Sequence, residues 1–298
     1  MSKVLILGAH GMLGSMVVRV LGRRPELQVT ASARRTPSAP PERVQLRHFD
    51  ACGDSLGALL GAERYDWIVN AIGVINPRIA ERTAASVKEA IAINALFPYR
   101  LATEAARRDQ RVIQIATDGV YSGADGPYDE SADHDPGDVY GKTKSLGEVP
   151  ADNVVHLRCS IIGPELSAPS SLLGWLLAAA PGAELTGYDG HRWNGVTTLH
   201  FAKLCGAIIA GVEVPPVQHI VPADAVSKAE LLELALTAFG RTDVFVRHVP
   251  GPGAPVDRTL ATRDAQANER LWRAAGYERP PTVATMLNEL AATVSPEP

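Results

Sequence analysis

Cysteine is scarce in this chain: only Cys52, Cys159 and Cys205 occur in 298 residues, far apart and with no Cys-x-x-Cys pair. That argues against a zinc cluster and suits a reducing compartment, so a cytoplasmic protein is expected. Charge of one sign is also lacking. With 29 basic and 33 acidic residues the net charge is -4, which gives no electrostatic case for binding nucleic acid. Long apolar runs are absent too. The longest, Leu172 to Ala180, falls well short of the ~20 residues that cross a bilayer, so no membrane partner is expected. The run Val4-Leu-Ile-Leu7 after Lys3 is too short for the apolar core of a signal peptide. The eight histidines show no His-Glu-x-x-His or comparable spacing, so no metal is expected.

What is present is alternation. Short β-branched runs at Lys3–Leu7, Gln28–Ser32, Val44–Phe49, Trp67–Asn70, Val112–Ala116 and Val154–Arg158 are separated by helical patterns. Met12, Met16, Val17, Val20 and Leu21 share one helical face, as do Ala90, Ile91, Asn94 and Ala95. Such βαβ texture predicts an α/β fold, a Rossmann-type doubly wound parallel sheet. After Ser160, prolines and glycines break the pattern. A helix is expected from Leu199 to Ile209, strands at Val217–Val221 and Val244–Val249, and two further helices near the end. These features predict a dinucleotide-binding domain over 1–162 and a smaller C-terminal substrate-binding lobe over 163–298, with 195–222 returning to the first. The Leu172–Ala180 stripe with Trp175 reads as a packing helix or a subunit contact, which leaves a homodimer open.

Gly8-Ala-His10-Gly11-Met12-Leu13-Gly14 falls directly after the first strand and opens the first helix. Glycines there permit a tight turn and close approach of backbone to a pyrophosphate, and the helix N-terminus offers free N–H groups to that anion. An acid to hold a ribose 2′-hydroxyl is missing at the end of the second strand. Arg34 and Arg35 stand there instead and suit a 2′-phosphate. NADPH is therefore the expected cofactor, with NADH as the alternative; a solvated basic loop is the bland reading of the same pair. Asp50 at the end of the third strand is placed to accept from the adenine amino group, and Ala71 and Gly73 after the fourth let a cofactor pass close by. An ordinary turn acid and a tight turn are the plain readings of those positions.

Tyr140-Gly-Lys-Thr-Lys144 sets a phenol and an ammonium four residues apart, on one helical face. An ammonium beside a phenol favours phenolate, so Lys144 is expected to lower the Tyr140 pKa from about 10 and to bond the nicotinamide ribose. Thr117, 23 residues earlier at the end of the fifth strand, is placed to hydrogen-bond a carbonyl oxygen as charge develops on it. The acidic loop Asp129–Asp138, with His134, reads as a solvated lid. Cys159 reads as a small buried hydrophobe.

Together these residues resemble the extended short-chain dehydrogenase/reductase superfamily. Within it the chain is most similar to the dTDP-4-dehydrorhamnose reductase family of nucleotide-sugar enzymes. The resemblance rests on Gly8 to Gly14, Ala116-Thr-Asp-Gly-Val-Tyr-Ser-Gly123, Pro127-Tyr-Asp-Glu130, Pro136, Tyr140-Gly-Lys-Thr-Lys-Ser-Leu-Gly-Glu148 and Leu157-Arg-Cys-Ser-Ile-Ile-Gly163. It implies hydride delivery from NADPH to a keto carbon of a nucleotide-linked sugar, with Tyr140 as proton donor, Thr117 polarising the carbonyl and Lys144 holding the cofactor. It also implies a sugar-nucleotide site built largely from the second lobe. Arg192, Asn194 and Arg258 are the candidates there, the arginines for the diphosphate. Surface arginines paired with Asp189 or Asp257 would be the plain alternative. Two other readings stay open: a redox-neutral epimerase or dehydratase with tightly bound NAD(P), which would need an extra acid–base pair near Thr117, and a non-catalytic regulatory subunit.

Overall fold

The computed structural model describes residues 1–34, 43–61, 63–166 and 171–294. The chain begins with β1 (Ser2–Leu7), α1 (Met12–Leu21), β2 (Leu27–Ala33), β3 (Val44–His48), α2 (Leu56–Gly61), β4 (Trp67–Asn70), α3 (Ala84–Ala90), α4 (Phe97–Ala106), β5 (Arg111–Ala116), α5 (Val139–Leu146) and β6 (Val154–Arg158). There follow β7 (Ile161–Ile162), α6 (Leu172–Leu177), β8 (Glu184–Tyr188), β9 (His191–Trp193), β10 (Val196–Thr197), α7 (Thr198–Ile209), β11 (Val217–His219), β12 (Val226–Ser227), α8 (Lys228–Ala238), β13 (Phe245–Val249), β14 (Val256–Asp257), α9 (Ala265–Ala274) and α10 (Val283–Val294).

Seven strands form one parallel sheet in the order β11-β6-β5-β4-β1-β2-β3. This is the expected Rossmann-type arrangement, with β11 added beside β6. Crossovers run one way from β1 to β3 and the other way from β4 to β6, so a crevice opens between the carboxyl ends of β1 and β4. Strand β1 explains why the sheet is buried on both faces. Val4 and Ile6 point into the core shared with α1 and α7, whereas Leu5 and Leu7 point into the core beneath α2 and α4. A strand covered on both sides needs an unbroken apolar run rather than alternation. The first core also takes in Leu231, Leu271, Trp272 and Met286, so α8, α9 and α10 of the second lobe rest on apolar surface continuous with the first.

Several boundaries differ from expectation for local reasons. The expected face Ala90, Ile91, Asn94, Ala95 is broken, because Ile91–Leu96 forms a π-helical turn between α3 and α4. The extra residue in that turn rotates Ile91 outward while Asn94 stays buried. The strand expected over Val217–Val221 ends at His219, whose backbone N–H is taken by the Glu130 carboxylate at 3.0 Å. The expected strand Val244–Val249 begins at Phe245 and pairs with β8. Small two- and three-residue strands, β12, β9 and β14, form a separate sheet in the second lobe. Runs that short carry no periodic signal.

Candidate active site

The glycine turn forms where β1 meets α1. Gly8 has φ +84, a left-handed conformation open to glycine at little cost, and its carbonyl accepts from Gly11 N at 2.9 Å. Gly8 N and Ala9 N both donate to Ser32 O at the end of β2. A Cβ on Gly14 would stand 2.1 Å from Gly8 O, so only glycine lets α1 pack this close to the turn. Gly11 caps α1 without a side-chain hydrogen bond, leaving the first-turn N–H groups unspent. His10 and Gly11 are exposed, Met12 is partly so, and Leu13 is buried in the core, so Leu13 has only its backbone to offer a ligand. Ser32 Oγ is buried beside the turn without a hydrogen-bond partner among the described residues. An uncapped helix start, an open cradle and an orphaned hydroxyl fit a dinucleotide phosphate.

Around this turn the other expected cofactor residues take their places. Register between β1 and β4 pairs Leu7 with Asn70, which sets Ala71 against Gly8. Gly73 is exposed in the following loop, and that loop is clamped by Asn94, whose amide accepts from Val74 N and donates to Val74 O, both at 2.9 Å. Asp50 behaves as a turn acid: its Oδ1 accepts from Cys52 N at 2.9 Å, and its own N–H donates to Asp54. Arg34 is exposed at the end of β2, and Arg35 lies outside the described residues.

Strand β5 delivers Thr117 to the same edge, next to Cys159 and Ser160 beyond β6. Thr117 caps the short turn 118–120; its Oγ1 accepts from Gly119 N at 3.0 Å and donates to Asp118 Oδ1 at 3.2 Å. Tyr140 enters from the first turn of α5, which Asp138 caps by accepting from Gly141 N at 2.7 Å. Gly119 stands between the two. A Cβ there would lie 3.1 Å from Tyr140 Cε1 and 3.3 Å from Thr117 Oγ1. Gly141 serves the same closeness from the α5 side, since a Cβ on it would meet Gly119 O at 2.2 Å.

Burial dominates the electrostatics of Tyr140. Burial pushes the Tyr140 phenol up to about 12, with the Thr117 hydroxyl pulling the other way and Asp118 adding to the rise. The Lys144 ammonium is buried and donates to Ile115 O at 2.7 Å. Burial in turn pushes Lys144 down to about 8. Cys159 is buried, as expected of a small hydrophobe in the core.

The substrate-binding candidates lie later in the chain. Arg258 is half-buried and donates from Nε to Ser122 O at 3.2 Å; Arg192 is exposed on β9. The candidate ion partners are engaged elsewhere, Asp257 with Thr259 at 2.6 Å and Asp189 with His248 at 2.8 Å. Among the described residues neither arginine forms an ion pair, and Arg192 donates to Ala225 O at 3.4 Å. Asn194 is anchored within the protein. Its buried amide donates to Leu260 O at 2.7 Å and accepts from Leu260 N at 2.9 Å, so it ties the chain near β10 to the segment after β14.

The acidic loop keeps Ser131, Asp133, Asp135 and Gly137 exposed but anchors His134. His134 Nδ1 bonds Ser145 Oγ at 2.8 Å, and its Nε2 accepts from Arg158, a buried guanidinium that also meets Glu148, Tyr121 and His219. An arginine cannot accept, so both histidines must present a bare Nε2 to it. No sequence spacing signals this network, or the Asn94 clamp, because each partner comes from a different element. Among the described residues no group of three or more His, Cys, Asp or Glu side chains is placed to hold a metal ion, and no helix is long and apolar enough to cross a membrane.

A doubly wound sheet with an N-terminal glycine turn, and Thr117, Tyr140 and Lys144 gathered at its carboxyl edge, defines an extended short-chain dehydrogenase/reductase. More narrowly, residues 2–162 match the sequence profile of the RmlD substrate binding domain, and the chain belongs to that family. A curated relative, the spore coat polysaccharide biosynthesis protein SpsK of Bacillus subtilis (strain 168), is 30% identical over 149 residues, 50% of this chain and 47% of that protein. The chain thus aligns with about half the length of that relative. Among solved structures, the dTDP-4-dehydrorhamnose reductase of Bacillus anthracis str. Ames in complex with NADP has a TM-score of 0.75 at 16% identity, covering 98% of this chain and 99% of that one. The dTDP-4-dehydrorhamnose reductase of Clostridium acetobutylicum ATCC 824 has a TM-score of 0.72 at 19% identity, with the same coverage. The UDP-glucuronic acid 4-epimerase of Bacillus cereus in complex with NAD has a TM-score of 0.72 at 16% identity, covering 97% of this chain and 96% of that one. At these identities the likeness is one of fold.

Proposed function

We propose that the chain is an NADPH-dependent ketoreductase acting on a nucleotide-linked sugar of the 4-keto-6-deoxy type. The observation that carries this reading is the juxtaposition of Thr117 and Tyr140 across Gly119, at the sheet edge that also holds the glycine turn. The glycine turn, with the α1 N-terminus, would hold the cofactor's pyrophosphate, and Arg34 with Arg35 its 2′-phosphate. When bound there, the nicotinamide supplies a hydride to the keto carbon.

This chain's own residues then handle the oxygen. A phenol at about 12 is protonated at neutral pH, which is the state a proton donor needs. Tyr140 gives its proton to the carbonyl oxygen, while the Thr117 hydroxyl turns from Asp118 to donate to the same atom. Lys144, held on Ile115 O beneath Tyr140, supplies positive charge where the phenolate forms. Arg192 and Arg258 meet the substrate's diphosphate; the protein's net charge of -4 offers no general attraction, so these local cations must do so.

The test follows absorbance of the reduced nicotinamide with purified protein, NADPH and a panel of nucleotide-linked 4-keto-6-deoxy sugars. Stoichiometric oxidation with one member is expected. NADPH binding without oxidation by any member would overturn the reductase reading and favour a redox-neutral or regulatory role.

A further inference from the structure

The second lobe brings one more titratable side chain to this edge of the sheet. Lys228 is the first residue of α8, and a reciprocal cap fixes its backbone: Ser227 Oγ accepts from Glu230 N at 3.1 Å and the Glu230 carboxylate accepts from Ser227 N at 2.6 Å. Strand β12 pairs antiparallel with β9, setting Val226 opposite Trp193. The Lys228 ammonium lies 5.4 Å from the centre of the Trp193 ring. The Trp193 indole N–H donates to Ser160 Oγ at 2.8 Å, and the Ser160 hydroxyl, with that of Thr117, bonds the Asp118 carboxylate. The Lys228 ammonium thus packs on the ring of a tryptophan whose hydrogen bonds run, through Ser160 and Asp118, to the hydroxyl assigned to the keto oxygen. Among the described residues its ammonium has no hydrogen-bond or ion-pair partner, so its donors are unspent.

The charges agree with a proton-handling pair. Burial pushes Lys228 down to about 8, Arg258 pushes the same way, and Asp118 opposes. Burial holds the Asp118 carboxyl above its usual range, while Lys228 and Arg258 pull it back. An amine in that range is partly neutral at mildly alkaline pH and able to act as a base. A C–H next to a ketone becomes acidic when donors hold the carbonyl oxygen, as Thr117 and Tyr140 would.

We propose that Lys228, positioned by Asp118, removes and returns the proton on the carbon next to the substrate's keto group, giving this site a second activity, exchange of that proton with solvent. The inference rests on the keto-sugar reading above. In the step, the C–H electron pair becomes the second C–C bond and the carbonyl pair moves to oxygen, where Thr117 and Tyr140 hold the charge. The proton rides on Lys228 as ammonium, balanced by Asp118. Reversal after exchange of the ammonium with solvent restores the ketone. No electrons enter or leave, so no reductant is consumed.

The experiment incubates the full chain with a dTDP-linked 4-keto-6-deoxyhexose in D2O, without NADPH, and reads deuterium next to the keto carbon by mass spectrometry. A parallel sample is assayed for NADPH oxidation. Wild type gains deuterium, and both Lys228→Met and Lys228→Arg lose at least about tenfold of the rate, because arginine keeps the charge but cannot shed a proton. Asp118→Asn moves the half-maximal pH of exchange downward, since the carboxylate no longer favours the ammonium. NADPH oxidation without deuterium gain, or full exchange by Lys228→Arg, overturns the inference while leaving the reductase reading intact. An unmoved midpoint in Asp118→Asn removes Asp118 from the pair. Neither oxidation nor exchange overturns the keto-sugar reading, and this inference with it.

Discussion

Two glycines three residues apart in the same turn should fail in opposite ways when replaced by alanine. On Gly14 the added Cβ stands 2.1 Å from Gly8 O, 2.7 Å from Gly8 C and 3.2 Å from Ala9 N, all backbone atoms. Carbon contacts are comfortable at about 3.5 Å or beyond, so α1 must retreat by roughly 1 Å. That retreat drags Leu13, Met16, Val17, Val18 and Leu21, every one buried, out of register with the core. Overpacking of a tight site costs about 1–3 kcal/mol and occasionally more. With no flexible atom to yield here, about 3 kcal/mol is expected, which lowers Tm by roughly 5 °C in a chain of 298 residues. On Gly11 the Cβ meets only Gly8 O at 3.4 Å, and φ is -74, which any residue adopts. Gly11→Ala should therefore cost under about 1 kcal/mol of stability. Its methyl group instead occupies the opening at the start of α1, and NADPH affinity should fall at least tenfold, about 1.4 kcal/mol. Thermal melts by circular dichroism and titration of NADPH fluorescence separate the two effects. A Gly14→Ala protein that melts with wild type would refute the steric argument, and unchanged NADPH affinity in Gly11→Ala would refute the placement of the phosphates.

Three further outcomes are expected. Tyr140→Phe removes the proton donor but no part of the glycine turn, so turnover should drop by about a hundredfold or more with NADPH affinity nearly unchanged; normal turnover would take Tyr140 out of the mechanism. Replacing Arg34 and Arg35 together by alanine should weaken NADPH by at least about tenfold and NADH far less; equal losses would mean that the pair does not read the 2′-phosphate. Away from the site, burial pushes the fully buried His200 down to about 4 from the ordinary 6.5, against the pull of Glu289. Its folded pKa is the lower one, so the neutral ring's contribution is complete above about 6.5 and is lost as pH falls towards 4, a change of about 3 kcal/mol. His200→Gln should flatten the decline in unfolding free energy, read from urea titrations between pH 7 and 4, by about that much. An identical decline in the variant would show that another group, such as His134 or His219, carries the titration.

The sequence by itself determined the central sheet and the glycine turn. Both are local in origin: a strand buried on two faces must be an apolar run, and a turn that admits a helix within contact of its own carbonyl must be glycine. The spacing of Tyr140 and Lys144 was equally legible, since four residues are one helical turn. Tertiary structure decided what those side chains experience. Lys144 sits on a carbonyl of β5 and Tyr140 is raised by burial rather than lowered by charge, because desolvation depends on everything packed around a group. It also tied Asn194 to Leu260 and drew His134 into the network around Arg158. Most of all, it set Lys228 near Asp118 across 110 residues of chain, through three strands too short to leave a pattern. Contacts between distant segments follow from how the lobes pack, and no local periodicity encodes them.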